Sequence, residues 1–280
     1  IYLGVVTIHV QCVHKEILVD AKKILKNIVD QGHLLGVKTI TLHGGGEPTL
    51  NKNFIQAIKY IREKNIQCIA FTNGYNLDKL LCDQISESDI SIIRISVIGY
   101  DNITYKKWMN KDAFYQVREN VKYLVEKCKN TSIKIFSSHL ILDSENMKYE
   151  IEQYKNNWVN YTNIKSEIWS MHNWSGNYAN PNSRLKEERR TCGRPQSPRL
   201  EVRAGGLNER HGAVVACCMV LGKDSGATLG HLDTQSINEV MNSKEYLALV
   251  KAHENEQFDD IPYCKDCDQL YDSCLLYTSP

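Results

Sequence analysis

Long apolar runs are missing from this 280-residue chain. None approaches the roughly 18 consecutive apolar residues of a membrane-spanning helix, so no membrane partner is expected. Charge of one sign is missing too. Its 34 basic and 33 acidic side chains leave a formal charge of +1, a balance that gives no pull toward nucleic acid. Low-complexity tracts and internal repeats are absent. Apolar residues make up 42% and charged residues 24%, which excludes disorder as the main state. Cysteine is sparse by the standard of small disulfide scaffolds, which run at roughly 8–10%; here there are ten in 280. A secretory leader is not evident. The opening IYLGVVTIHV starts at Ile1, lacks basic residues and a small-residue cleavage site, and reads as a strand. The cytoplasm is therefore the expected location, and there cysteines point to metal or catalysis before disulfides.

What is present from residue 1 to 170 is an alternation of short β-branched runs with helix-period segments. Strands are predicted at Tyr2–Ile8, Val37–Leu42, Ile66–Phe71, Ser91–Val97, Ser132–Ile141 and Ile164–Ser170. Between them, Leu18, Ala21, Leu25, Ile28 and Val29 share a helix face that Gly32 is expected to close. Asn51 is a predicted N-cap for a helix with Phe54, Ile55, Ile58 and Ile61 inward. Phe114, Val117, Val121, Leu124, Val125 and Cys128 form the clearest stripe, and Met147, Ile151, Tyr154 and Trp158 another. Such alternation predicts a parallel sheet with right-handed crossovers. Six units suit an α/β fold of the partial (β/α)6 TIM-like barrel kind, with a doubly wound sheet as the alternative.

The rhythm breaks near Met171. Residues 171–191 read as a linker, and residues 192–273 as a small cysteine-rich domain. There a hairpin is predicted from Arg199–Arg203 and Ala213–Val220, then one helix Ile237–His253, then IPYCKDCDQL. Residues 274–280 change character abruptly and read as a non-native tail.

Three glycines, Gly44, Gly45 and Gly46, follow a predicted strand and precede a helix in TLHGGGEPTL. That places them at the C-terminal mouth of the sheet, where α/β folds bind ligands. Backbone without Cβ can approach a ligand closely, and Glu47 offers a carboxylate to an ammonium group. No GK[ST] follows, so the turn does not suit phosphate. Thr72 and Asn73 in FTNGYNL, and Ser96 in IRISVIG, end the next two strands with polar groups on the same rim.

Of the cysteines, Cys68, Cys82 and Cys128 fall in core patterns. Cys192, Cys217 or its neighbour Cys218, and the CxxC pair Cys264 and Cys267 fall in the appended region. Four thiolates suit a tetrahedral zinc or a four-iron cluster. Neighbours on a strand face opposite ways, so one of Cys217 and Cys218 is expected to serve, with Cys217 preferred.

GGEP after the second strand, TNG after the third and ISxxG after the fourth resemble radical S-adenosylmethionine (SAM) enzymes. The tail, from HNWSGN through Cys192-Gly-Arg-Pro, GAVVACC and LGHLDTQSINEVMNSKEY to PYCKDC, looks like the SPASM or shorter twitch domain that such enzymes append. The resemblance implies a cytoplasmic oxidoreductase-type enzyme that abstracts hydrogen with a 5′-deoxyadenosyl radical. Its cofactors would be SAM and [4Fe-4S] clusters, one of them auxiliary. It implies SAM contacts at Gly44, Gly45, Gly46, Glu47, Thr72, Asn73 and Ser96, and auxiliary ligands at Cys192, Cys217, Cys264 and Cys267. Partners would be a peptide or small sugar-like substrate and a flavodoxin or ferredoxin electron donor. The family's catalytic cluster uses CxxxCxxC after the first strand, and Cys12 alone stands there as catalytic and metal residue. If Cys12 is the third cysteine, Val5 and His9 hold the other positions; if the second, Ile8 and Lys15 do. The family's acid in ISIDG is replaced by Ile98. The alternative is a non-catalytic SAM- or metal-binding homologue that has lost the complete motif.

Overall fold

The computed structural model describes residues 7–11, 18–44, 46–142, 145–180, 190–197, 199–203, 211–220, 226–269 and 275–278. Cys12 and Gly45 lie outside the described residues. The chain divides into two compact units. One comprises Ile1–Gly46, Glu63–Gln67 and His172–Ser273; the other comprises Glu47–Arg62, Cys68–Met171 and Cys274–Pro280.

In the second unit, strands β3 (Gln67–Thr72), β4 (Ile92–Ser96), β5 (Lys134–Ile141) and β6 (Lys165–Ser170) pair in parallel, in that order. Helix α2 (Phe54–Glu63) precedes β3, and helices α3 (Lys79–Ser86), α4 (Asn102–Met109), α5 (Phe114–Cys128) and α6 (Met147–Tyr154) supply the crossovers. Helix α6 runs on through a π turn, Lys155–Val159, into the short α7 (Asn160–Thr162). Alternation along the strands separates two faces. Cys68, Ala70, Ile93, Ile95, Ile141 and Ile168 are buried on one, and Val117, Val121 and Leu124 of α5 and Trp158 are buried too. Phe71, Arg94, Ser96, Phe136, Ser138, Glu167 and Trp169 stand half-buried on the other. The last strand, β10 (Leu275–Thr278), pairs antiparallel with β6.

In the first unit, β1 (Thr7–Gln11) pairs in parallel with β2 (Thr39–Leu42), and also with β7 (Leu200–Arg203). β7 then forms an antiparallel hairpin with β8 (Ala213–Val215), as predicted. The run predicted to reach Val220 stops at Val215, and a third strand, β9 (Thr228–His231), covers β8. Helix α1 (Leu18–Leu34) does not end at Gly32. It closes at Gly36 (φ 75°), where Val37 N–H donates to Gly32 O and Gly36 N–H to His33 O, a left-handed cap with paired return bonds. The helix predicted at 237–253 is two. Helix α8 (Ile237–Met241) gives way to α9 (Lys244–Glu254), because Ser243 takes an extended conformation and its hydroxyl accepts from Tyr246 N–H as a new N-cap. Among the described residues, no helix is long and apolar enough to cross a membrane.

Candidate functional site

Glu47 precedes a 3-10 turn, Pro48–Leu50, and caps it. Its Oε1 accepts from Thr49 N–H at 3.1 Å, from the Thr49 hydroxyl at 2.7 Å and from the Thr72 hydroxyl at 2.7 Å; its Oε2 accepts from Asn73 N–H at 2.7 Å. A carboxylate has about four lone-pair sites, two on each oxygen; three chain donors crowd Oε1, while the one described donor at Oε2 leaves that oxygen an acceptor site. In this structure Glu47 fastens the turn after it to the end of β3. Thr72 also accepts from Gly74 N–H, and Asn73 Oδ1 from Tyr75 N–H, which fixes the TNG turn. The glycine run before Glu47 belongs to the other unit; there Gly44 has φ 135° and Gly46 is half-buried. Beside them burial holds the His43 imidazole low, at about 4.

Ser96 ends β4 opposite Ser138 of β5 on the half-buried face. Two residues on, Ile98 begins a turn that only glycine can complete. Gly99 has φ 122°, and a Cβ there would meet Tyr105 N at 2.3 Å. Gly99 N–H donates to His139 Nδ1, while its carbonyl accepts from the Trp158 indole N–H. His139 Nε2 faces Glu150 Oε1 at 2.7 Å in a dry setting.

Sequence reasoning missed one feature of this face. Phe71, Arg94 and Phe136 are cross-strand neighbours, and the Arg94 guanidinium lies 5.8 and 5.4 Å from the two ring centroids. Arg94 is ion-paired with Glu167. Strand periodicity in IRISV signals an inward-facing arginine. Its partner and flanking rings come from three other strands, so no local pattern contains them.

In the first unit the tail cysteines share the wall of one cleft, although among the described residues no three His, Cys, Asp or Glu side chains are grouped closely enough to hold a single metal ion. Cys192, Cys217, Cys264 and Cys267 line this cleft, with Arg194, His253 and Tyr263 also on its wall. Cys218 does not line it. The strand argument for preferring Cys217 does not apply, because both residues lie in a turn beyond β8, where Val220 N–H donates to Cys217 O. The hydrogen bond from Cys218 lowers the Cys217 thiol to about 6, aided by the Arg194 charge, and pushes Cys218 up. Burial raises Cys267 to about 11. Arg194 itself is held charged by the surrounding cysteines against its burial.

The CxxC loop is clamped from the segment before it. Asp268 Oδ1 accepts from Asn173 N–H, and Asp268 Oδ2 from the Asn180 side-chain amide, each at 3.0 Å. Asn173 returns its carbonyl oxygen to Asp268 N–H and its amide to Asp266 O. The linker aromatics are packing: His172 and Trp174 lie 4.0 Å apart, and Trp174 meets Tyr178 edge-on. Cys68, Cys82 and Cys128 are buried core residues, as predicted, and burial holds their thiols above the ordinary value.

The radical SAM superfamily profile matches residues 13–154, and the SPASM iron–sulfur cluster-binding domain matches residues 209–268. The chain belongs to the radical SAM superfamily. Among curated relatives, a probable GTP 3′,8-cyclase from Pyrococcus abyssi (strain GE5 / Orsay) is 29% identical over 114 residues, 39% of this chain and 37% of that protein. The chain thus spans about a third of that relative's length. BtrN, solved with AdoMet and 2-DOIA, superimposes with a TM-score of 0.58 at 15% identity, over 96% of this chain and 98% of BtrN. Streptococcus suis SuiB, solved with the precursor peptide SuiA, gives 0.63 at 14% identity, over 95% of this chain and 70% of SuiB. These likenesses show the fold, a partial TIM-like α/β barrel with an appended SPASM-type domain. The families bring SAM and [4Fe-4S] clusters as cofactors. The thiol set lining the cleft suits a cluster by its donor chemistry. The segment at Cys12 supplies one thiolate where the family pattern has three, so it does not fit the catalytic cluster.

Proposed function

We propose that this is a radical SAM oxidoreductase-type protein with one auxiliary [4Fe-4S] cluster held by Cys192, Cys217, Cys264 and Cys267. The supporting observation is that these four thiols line one cleft, although 75 residues separate the first from the last. A cluster bound there would move an electron or bind substrate. Gly44, Gly45, Gly46, Glu47, Thr72, Asn73 and Ser96 are assigned to SAM through the family motifs. Within that set Glu47 shapes the turn, since three chain donors meet its Oε1 and one its Oε2. The hydroxyls of Ser96 and Ser138 suit a ribose. Hydrogen abstraction by a 5′-deoxyadenosyl radical is the reaction class of the family. No step is assigned to a catalytic cluster, because Cys12 alone does not complete its ligand set. That shortage favours a second reading, a homologue that binds SAM or metal without cleaving SAM.

A substrate of the peptide class draws support from SuiB, which was solved with a precursor peptide. BtrN, with its small ligand, supports the sugar-like alternative. A flavodoxin or ferredoxin would supply electrons, and the cytoplasm is the proposed location. Residues 1–170, 171–191, 192–273 and 274–280 remain the proposed division into barrel, linker, cluster domain and non-native tail.

The test is anaerobic reconstitution with iron and sulfide, followed by metal and sulfide analysis and assay of 5′-deoxyadenosine under dithionite. About four irons per chain support the auxiliary cluster. Zinc without labile sulfide overturns it. Deoxyadenosine formation supports the catalytic reading, and SAM binding without product supports the non-catalytic one.

A further inference from the structure

His253 lies on α9, is 1% exposed and lines the same cleft as the four thiols. Its Nε2 is 3.5 Å from Cys264 Sγ. Its Nδ1 is 3.0 Å from the Thr191 hydroxyl, one residue before Cys192. Phe258 packs against the ring at 4.9 Å between centroids. The imidazole is therefore gripped on its face and at one nitrogen, with the other nitrogen aimed at sulfur. Thr191 Oγ1 also accepts from Gly193 N–H and lies 2.9 Å from Gln196 Oε1. Its single proton serves either Gln196 or His253 Nδ1. When Cys264 carries a thiol proton, that proton can point to Nε2. A cysteine bound to iron has no such proton, so the contact persists only as Nε2–H donating to sulfur, with Thr191 donating to Nδ1.

We propose that His253 is a positioning residue of the auxiliary cluster: held by Thr191, it donates a hydrogen bond to the Cys264 sulfur and raises the reduction potential of the cluster. Hydrogen bonds to cluster sulfurs are one of the protein's levers on potential, because reduction adds negative charge that a donor stabilises. Charge-assisted bonds are roughly twice as strong as neutral ones, and burial excludes the water that would otherwise replace the donor. The inference rests on the assignment of the four cysteines as cluster ligands.

The experiment is an EPR-monitored redox titration of the reconstituted full chain, with iron and sulfide counted on the same samples. His253→Leu is compared with His253→Gln, which restores a donor, and with Thr191→Val, which removes only the brace. At a poise that half-reduces the wild-type cluster, the reduced-to-oxidised ratio in His253→Leu is expected to fall about tenfold, equivalent to about 59 mV for one electron. Thr191→Val should move the same way by less, and His253→Gln should recover part of the shift. An unchanged potential in His253→Leu and Thr191→Val, with iron content intact, overturns the proposal. If His253→Leu does not fold, the shift in Thr191→Val decides. Loss of iron from folded His253→Leu and His253→Gln alike would make His253 a ligand and also overturn it. A wild type that binds no iron refutes the cysteine assignment instead, which the iron count separates from a failure of the histidine role.

Discussion

Replacing Glu47 with glutamine changes one atom and should loosen the joint between two turns. The carboxylate accepts three hydrogen bonds at Oε1 and one at Oε2. Glutamine keeps one carbonyl oxygen, which is best left facing the three donors. Its NH₂ then meets Asn73 N–H, donor against donor. A hydrogen bond to a charged group contributes about 1.5–3 kcal/mol net, so the loss at Asn73 should lower stability by about 2 kcal/mol. For a chain of this size each kcal/mol corresponds to roughly 2–4 °C in Tm. Thermal and urea unfolding of the apoprotein, followed by circular dichroism, measures it. A double-mutant cycle adds a sharper reading. In a Glu47→Ala background Thr72→Val has no carboxylate left to lose, so the pair should be non-additive by about 0.5 kcal/mol or more. A Glu47→Gln protein within about 0.5 kcal/mol of wild type, the surface-substitution range, would refute the reasoning, as would full additivity.

Cys264→Ala and Cys267→Ala should each abolish incorporation of about four irons, whereas Cys218→Ala should leave the count unchanged; iron and sulfide analysis decides, and a Cys218 requirement would reverse the ligand choice. Asp268→Ala removes two accepted hydrogen bonds between buried partners and should destabilise by roughly 2–4 kcal/mol; hydrogen exchange at 172–180 should rise, and unchanged protection there would count against the clamp. His43 has its pKa lowered from 6.5 to about 4 by burial. The folded state therefore binds fewer protons than the unfolded state between those values. Its contribution is fully present above pH 6.5 and is lost as pH falls toward 4, by at most about 3 kcal/mol. Urea midpoints across that range should fall less steeply in His43→Leu, and an equal slope would dismiss the assignment.

Much of the barrel was legible because local physics carries it. Strand runs at Ile66–Phe71 and Ser91–Val97, and the stripe from Phe114 to Cys128, are set by side-chain periodicity that needs no distant partner. Elements controlled by short polar contacts were harder to place. Nothing in the apolar pattern says that Ser243 will interrupt 237–253, or that α1 will run past Gly32 to a left-handed cap at Gly36. Strand β9 was invisible for a related reason: four residues, TLGH, hold too little periodicity, and their pairing with β8 stabilises them.

The candidate sites divide in the same way. Residue identity and spacing were enough to establish the turn motifs, the CxxC pair, the family and the shortage of thiolates around Cys12, because a ligand set is a matter of which atoms the chain carries. Only tertiary structure could decide what those atoms face. It spent the Glu47 carboxylate on Thr49, Thr72 and Asn73, put Cys217 and not Cys218 on the cleft, set Arg94 between rings from two neighbouring strands, and brought His253 to Cys264 from a separate helix. Hydrogen bonds and thiol contacts act over about 3–4 Å, a distance that the order of residues along a chain does not encode.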